Sequence, residues 1–473
     1  MIRIFLRSVF WGLLFMRLSV QLFAQDNVPL LKGSVNISIT NGTIECDLML
    51  SNIPRVEEYV LRLNAGMNIR YFKDVSTGNL LYFDRDRTDT MSTGETIAYY
   101  FTAGGKKSPL PHSIKIRYVG MFPVMKDTLH ELPVEDWRGN IAFNGYSIRA
   151  DGHQSGWYPV IFDLKRQKSY EELKYNLTVT CKDCSTMYVN GCEPVYKSSA
   201  VFKCDYPAEV ALYCGNYRFF KGENTYILNS GLDELQRNRF TQQVELYKKF
   251  YERNLLIPYS VKTVFLETTP TSNKNGFLFA AFPTIFRVGP RGLGFKRFFD
   301  DKSGDIFRTY IAHELGHFYF GSVLSPNTIL GPALTEGFTE FLSLKLTREL
   351  ISDSIYRQVI ATKINALSDF TAVPFDQVRS ISDYGDRELY LYYYTPLILL
   401  AVEKELGERS MWKWLQTILS EQVILTDYHF LEKTLIDAVG DNEVTKKIKE
   451  KLFSGSSTVQ FAIDVLNGKV STD

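Results

Sequence analysis

The sequence predicts an α+β protein, with an N-terminal antiparallel β domain followed by a mainly helical domain that carries the chemistry. Three observations lead there. From about 30 to 220, short runs of alternating apolar and polar residues are broken by turn residues. From about 225 the apolar spacing changes to threes and fours. Within the helical half, two of the chain's six histidines stand four residues apart. A length of 473 residues exceeds what one core usually serves, so two or three domains are the starting expectation.

The first segment, 1–24, reads as an export signal. "MIRIFLR" is a basic start, "SVFWGLLFM" an apolar run too short to cross a bilayer, and "QLFA" ends in a small residue suited to a signal peptidase. Arg17 interrupts the apolar stretch, and no later segment is long and apolar enough to span a membrane. No cysteine follows the expected cut, so no lipid anchor is expected there. The mature chain is expected outside the cytoplasm, periplasmic or extracellular. Lys plus Arg number 54 against 53 for Asp plus Glu, dispersed along the chain, so nothing suggests nucleic-acid binding.

Residues 25–222 form the expected β-rich domain. "GSVNISI", "NGTIECDLML", "HSIKIRYVG", "YNLTVTC" and "PAEVALYCG" alternate with period two, and Asn190-Gly191 is a hairpin-turn candidate. Cys181, Cys184, Cys192, Cys204 and Cys214 cluster here, while Cys46 stands apart. In an exported chain disulfides are expected, with pairing not readable from spacing. A structural zinc ribbon is the alternative, although only Cys181 and Cys184 make a Cys-x-x-Cys knuckle. Asn36, Asn41 and Asn176 begin Asn-x-Ser/Thr triplets and are possible glycan acceptors.

Residues 223–455 form the helical domain, with 456–473 left as a C-terminal tail. "LDELQRNRFTQQVELYKKFYERNLL" predicts a long helix, and "VKTVFLETTP" and "NGFLFAAFPTIFRVG" predict one strand each. Ser303 and Asp305 are candidate caps of a helix running to about Gly321, and Gly407, the stretch 420–427 and Gly440-Asp441 separate later helices.

"IAHELGHFYFG" lies in that capped helix. Residues four apart share a helical face, so His313 and His317 can offer imidazole nitrogens to one ion. Glu314, rotated by one residue, is placed to reach a water on that ion as general base. Two histidines falling on one face by chance is the bland alternative. A third ligand candidate is Glu336 in "GPALTEGFTEFLSLKL", after eighteen intervening residues (318 to 335), on a helix started by Gly331-Pro332. Two nitrogens, one oxygen and an open position for water make the catalytic pattern of zinc, whereas structural zinc is closed by four protein ligands. Glu340, one turn on, either orients a ligating histidine or is a solvated helix charge.

The stretch "HELGHFYFGSVLSPNTILGPALTEGFTEFLSL" resembles the zinc core of the aminopeptidase N family of gluzincins. That family has His-Glu-x-x-His, a Phe-Gly three residues on, the same gap, then Glu-Gly-Phe. Phe320-Gly321 and Glu336-Gly337-Phe338 fall where the pattern places them. The resemblance extends more loosely over about 26 to 455. It implies a thermolysin-like catalytic domain, one Zn2+ held by His313, His317 and Glu336, Glu314 as catalytic base, and a peptide or protein substrate. It also implies an oxyanion-stabilising tyrosine, for which "ELYLYYYTPLILL" offers Tyr390, Tyr392, Tyr393 and Tyr394. Matching the helix end at Gly407 to the family pattern implies Tyr392, with Tyr394 the second choice and core packing the competing role.

Two positions depart from the family. Its Tyr-x-Lys-Gly becomes Tyr392-Tyr393-Tyr394-Thr395. The amine-binding Gly-x-Met-Glu-Asn strand is replaced by "NGFLFAAFPTIFRVG", with Phe279 near the glutamate's position and nothing acidic between Asn273 and Pro290. An apolar strand cannot pair with an ammonium. The 473 residues also leave little room for the family's large C-terminal helical domain. The expectation is an exported zinc peptidase not restricted to free amino ends. A non-catalytic binding or assembly protein on the same scaffold is the alternative.

Overall fold

The structure is a computed structural model and describes residues 28–89, 94–126, 138–272, 276–289, 294–421 and 425–469. The export signal at 1–24 lies outside the described residues. No described helix is long and apolar enough to cross a membrane. The chain forms two compact units: Met1–Phe219 with Thr268–Phe277 and Val288–Arg291, and Phe220–Glu267 with Leu278–Arg287 and Gly292–Asp473.

The first unit is an N-terminal curled β structure. In its 12-stranded sheet, Leu30–Ser38 pairs antiparallel with Thr43–Ser51 and parallel with Glu172–Cys181, and Ser199–Glu209 forms one edge. Alternation sets the inner face: Ile44, Cys46, Leu48 and Leu50 of the second strand are buried and their neighbours are not. Trp157 is fully enclosed, its indole N–H donating to the Val210 carbonyl at 2.7 Å, which satisfies the polar end of a large apolar side chain. A 4-stranded sheet runs through Thr186–Val189, Leu212–Gly215, Ser147–Ala150 and Ile141–Phe143. Asn190-Gly191 makes the expected turn, with the Cys192 N–H donating to the Val189 carbonyl at 3.0 Å. Cys181 and Cys184 form a disulfide, whereas Cys46, Cys192, Cys204 and Cys214 are thiols. Asn36, Asn41 and Asn176 are all exposed.

The second unit begins as a βαβ arrangement and continues as helices. Its 5-stranded sheet has Thr225–Leu228, Thr263–Glu267 and Thr284–Val288 parallel at the centre, with Phe219–Lys221 and Phe277–Ala281 at the edges. "NGFLFAAFPTIFRVG", expected as one strand, is therefore two, turned at Phe282-Pro283 because proline cannot donate to a ladder. Helix α1, Glu234–Leu255, starts at a capping box in which Asp233 and Gln236 satisfy each other's backbone N–H groups. It buries Phe240, Val244, Tyr247, Phe250 and Tyr251.

Helix α2 is Gly304–Gly316, shorter than the expected run to Gly321. After Gly316 the chain tightens, Phe318 N–H bonding the Leu315 carbonyl, and turns at Gly321. Ser303 precedes the helix, but its side chain is held by Asp300 at 2.7 Å and caps nothing; Asp305 pairs with Arg308. There follow α3 (Phe338–Leu346), entered through a wide π turn at Ala333–Gly337, α4 (Asp353–Ala366), and α5 (Thr395–Leu406), entered through a further π turn at Leu389–Tyr394. Then come α6 (Glu408–Ser420), α7 (Tyr428–Val439), α8 (Glu443–Ile448) and α9 (Thr458–Leu466). The last lies in the segment read as a tail. It buries Ala462 and Val465, and Thr458 shares a 3.0 Å hydrogen bond with the Tyr394 hydroxyl, so half of that segment is packed helix.

Candidate metal centre and active site

The site grows from the packing of α2 on α3. Gly316 permits it: a Cβ there would come within 3.0 Å of the Thr339 methyl. On the far side of the second segment, a Cβ on Gly337 would lie 2.2 Å from the Thr395 methyl and 3.2 Å from the Leu391 carbonyl. Glycine after Glu336 thus lets the Glu336 turn and the Tyr392 turn touch. Tyr251 of α1 donates to the Ala312 carbonyl at 2.8 Å, holding α2 from behind.

On this frame His313 and His317 face the same point, their rings 4.9 Å apart and nearly perpendicular. His313 Nε2 lies 3.4 Å and His317 Nε2 3.5 Å from the same oxygen, Oε2 of Glu336. The three ligand atoms all lie within 4.8 Å of one another and could hold a metal ion. A tetrahedral zinc with ligands at about 2.0 to 2.1 Å requires neighbouring ligand atoms about 3.4 Å apart, so the donor set fits that ion.

Each histidine's other nitrogen is engaged, which fixes which one faces the centre. His313 Nδ1 is 2.8 Å from Glu340 Oε2, and His317 Nδ1 is 3.3 Å from the Phe320 carbonyl. Glu340 is therefore not a solvated charge; it orients His313. Burial alone would push the His313 pKa down, but the hydrogen bonds of Glu336 and Glu340 raise it to about 10. Burial pushes Glu340 up, and the Lys363 charge and His313 overcome that, holding it at about 2. Glu336 stays well below the carboxylate range: the two imidazoles outweigh its burial.

Glu314 is buried, and its charge acts on both His313 and Tyr392, so it belongs to the same pocket. Of the four candidate tyrosines only Tyr392 reaches the centre, its hydroxyl donating to Glu336 Oε2 at 2.9 Å. Tyr390 donates to the Val373 carbonyl, Tyr394 meets Thr458, and Tyr393 lies beside the Lys363 ammonium at 4.8 Å. Phe279 sits on the edge strand, buried and stacked on Phe286 at 4.8 Å.

Sequence reasoning missed Lys363. Its Nζ donates to Glu340 Oε1 at 2.7 Å and to the Tyr392 carbonyl at 2.6 Å. The signal was there: Tyr356, Val359, Ile360, Ile364 and Leu367 mark the core-facing stripe of α4, and Lys363 falls inside it. It is the one fully buried side chain of that helix.

No protein-family model and no curated protein matches this sequence. Solved structures do share its fold. The M1 zinc metallopeptidase of Deinococcus radiodurans superimposes with a TM-score of 0.58 at 12% identity, over 89% of this chain and 92% of that one. A variant of that enzyme bound to a Tyr-Ser-Ala substrate gives 0.60 at 12% identity over 89% and 93%. Native yeast LTA4 hydrolase gives 0.58 at 11% identity, over 90% of this chain and 66% of its own. The curled β unit followed by a helical unit is thus an architecture this chain shares with M1 zinc metallopeptidases.

Proposed function

We propose that this chain is an exported zinc peptidase that hydrolyses peptide bonds. The observation that carries the reading is the convergence of two imidazole nitrogens on one carboxylate oxygen, at 3.4 and 3.5 Å, beside a buried glutamate and a tyrosine hydroxyl. His313, His317 and Glu336 hold the ion. Zinc there supplies Lewis acidity, lowering the pKa of a water and polarising the scissile carbonyl. Glu314 accepts the attacking water's proton and returns it to the leaving amine. The Tyr392 hydroxyl turns from Glu336 to donate a hydrogen bond to the oxygen on which charge develops. Glu340 keeps the proton of His313 on Nδ1 and its lone pair on Nε2.

The apolar strand around Phe279 supports a peptidase that does not demand a free α-amine, because an ammonium buried there would lack a partner. The basic, apolar and small-residue pattern of 1–24 supports export.

The test is cleavage of a mixed peptide library by the purified protein with and without a zinc chelator. Chelator-sensitive cuts, including internal ones, are expected. Glu314→Gln is expected to keep its zinc and lose about 10²- to 10⁴-fold in rate. Full activity in that variant overturns the mechanism. Stoichiometric zinc with no cleavage makes the chain a binding protein instead.

A further inference from the structure

We propose that Lys363 is a positioning residue that ties the metal ligands to Tyr392, so that ion affinity and oxyanion stabilisation are set together. The inference rests on the zinc-peptidase reading. Its basis is a closed circuit of polar contacts. His313 Nδ1 meets Glu340 at 2.8 Å, Glu340 meets Lys363 at 2.7 Å, and Lys363 meets the Tyr392 carbonyl at 2.6 Å. The Tyr392 hydroxyl then meets Glu336 at 2.9 Å, and Glu336 returns to His313 Nε2 at 3.4 Å.

The backbone explains why a lysine is needed. In a regular helix the Tyr392 carbonyl would accept from the N–H four residues on, but that residue is Pro396, which has none. The chain widens there into the π turn, with the Thr395 N–H bonding the Tyr390 carbonyl. The Tyr392 carbonyl accepts from the Lys363 ammonium of α4 at 2.6 Å. The same ammonium neutralises Glu340, which otherwise would be a buried carboxylate balanced only by an imidazole. A lysine is costly to bury, and this one, at 5% exposure, is fully compensated by the groups it joins.

Removing it should act on both ends of the circuit. Without the ammonium, Glu340 is free to swing from His313, and the turn carrying Tyr392 loses its anchor. Lys363→Met keeps the length and apolar stem of the side chain. It is expected to release zinc to a chromogenic chelator about 10- to 100-fold faster than wild type. Turnover per bound zinc should also fall by about 10-fold, with KM little changed, because a displaced Tyr392 hydroxyl is felt in the transition state. Lys363→Arg, which retains charge and donors, is expected to recover part of both. It also carries the test, by the same two readouts, if Lys363→Met fails to fold as judged by circular dichroism.

Wild-type zinc release and wild-type turnover in Lys363→Met overturn the proposal. So does a change in one without the other, since the claim is that the two are coupled. The parent reading fails differently: the wild-type protein itself would then hold no zinc or cut no peptide, and this inference would fall with it.

Discussion

Each unit of the molecule buries a histidine among carboxylates and a cation, yet only one arrangement is suited to bind an ion. In the β unit, His153 Nδ1 lies 3.1 Å from Glu209 and its Nε2 3.5 Å from Glu171. Arg138 pairs with Glu209 at 3.3 Å, and the His153 backbone N–H donates to the same carboxylate. In the helical unit, Glu340 and Lys363 likewise hold one nitrogen of His313. Both partner carboxylates are pulled to about 2 against their burial, Glu209 by His153 and Arg138, Glu340 by Lys363 and His313. The difference lies in the second nitrogen. His153 spends both on carboxylates and closes a clasp. His313 spends one and turns the other toward the oxygen that His317 also faces. A buried charged cluster becomes a site only when its lone pairs converge on a point that no other side chain fills.

The sharpest way to break this contrast is to remove a converging ligand. His317→Ala is expected to lose stoichiometric zinc, read by elemental analysis, and to reduce peptide cleavage to background. Hydrogen exchange should rise in α2 and α3 and stay unchanged around His153. Protection lost equally at both clusters would show that the helical cluster has no special dependence on metal.

Gly337→Ala attacks the packing rather than the ligand. The added methyl would collide with the fully buried Thr395, so the Glu336 and Tyr392 turns must separate. A destabilisation of about 1 to 3 kcal/mol is expected, measured by denaturant unfolding of the apo protein. Zinc affinity should fall with it. In the β unit, Gly152 at φ +64 plays the corresponding part, since a Cβ there would meet Glu209 at 2.1 Å. Substituting that residue should destabilise without touching zinc.

A third difference concerns protons. The hydrogen bonds of Glu336 and Glu340 raise the His313 pKa to about 10, and a zinc ion binding there would have to displace that proton. The apparent zinc affinity is therefore expected to rise about tenfold per pH unit between pH 6 and 9, one proton leaving per ion. A flat profile would mean that His313 is already neutral.

How much of this was legible beforehand depends on what each feature rests on. The β unit followed from alternation, as in Thr43–Ser51, because a strand with one buried face has no freedom of register. The convergence of His313, His317 and Glu336 was legible because a shared ion would fix both residue type and spacing. Tyr392 needed the structure: four tyrosines in five positions all look like core, and which one points inward depends on a π turn that shifts the helical phase. The end of α2 was overextended because apolar periodicity continues through Phe318 and Phe320 in a non-helical turn. The split at Pro283 and the helix at Thr458–Leu466 were missed for related reasons, a short hairpin resembling one strand and a short helix resembling a tail. Lys363 broke a visible stripe, but a partner 23 residues away in sequence is not visible from periodicity.

The smallest expected effect tests whether the β clasp works by charge. Burial pushes His153 down, but Glu171 and Glu209 outweigh it, so its folded pKa lies above the ordinary 6.5. Its stabilisation is thus complete below 6.5 and is lost as pH rises through the folded value. Glu209 is depressed from 4.5 to about 2, so its stabilisation is complete above 4.5 and is lost as pH falls toward 2. Both are present together between 4.5 and 6.5, and that is where the clasp contributes most. His153→Gln keeps a hydrogen-bonding side chain but cannot carry the charge. Its destabilisation relative to wild type, followed by thermal melting, should be about 2 kcal/mol inside that window and shrink on either side. Zinc binding should not change at any pH. A deficit independent of pH would mean that His153 acts by shape and hydrogen bonding. A loss of zinc would mean that the two clusters are energetically one.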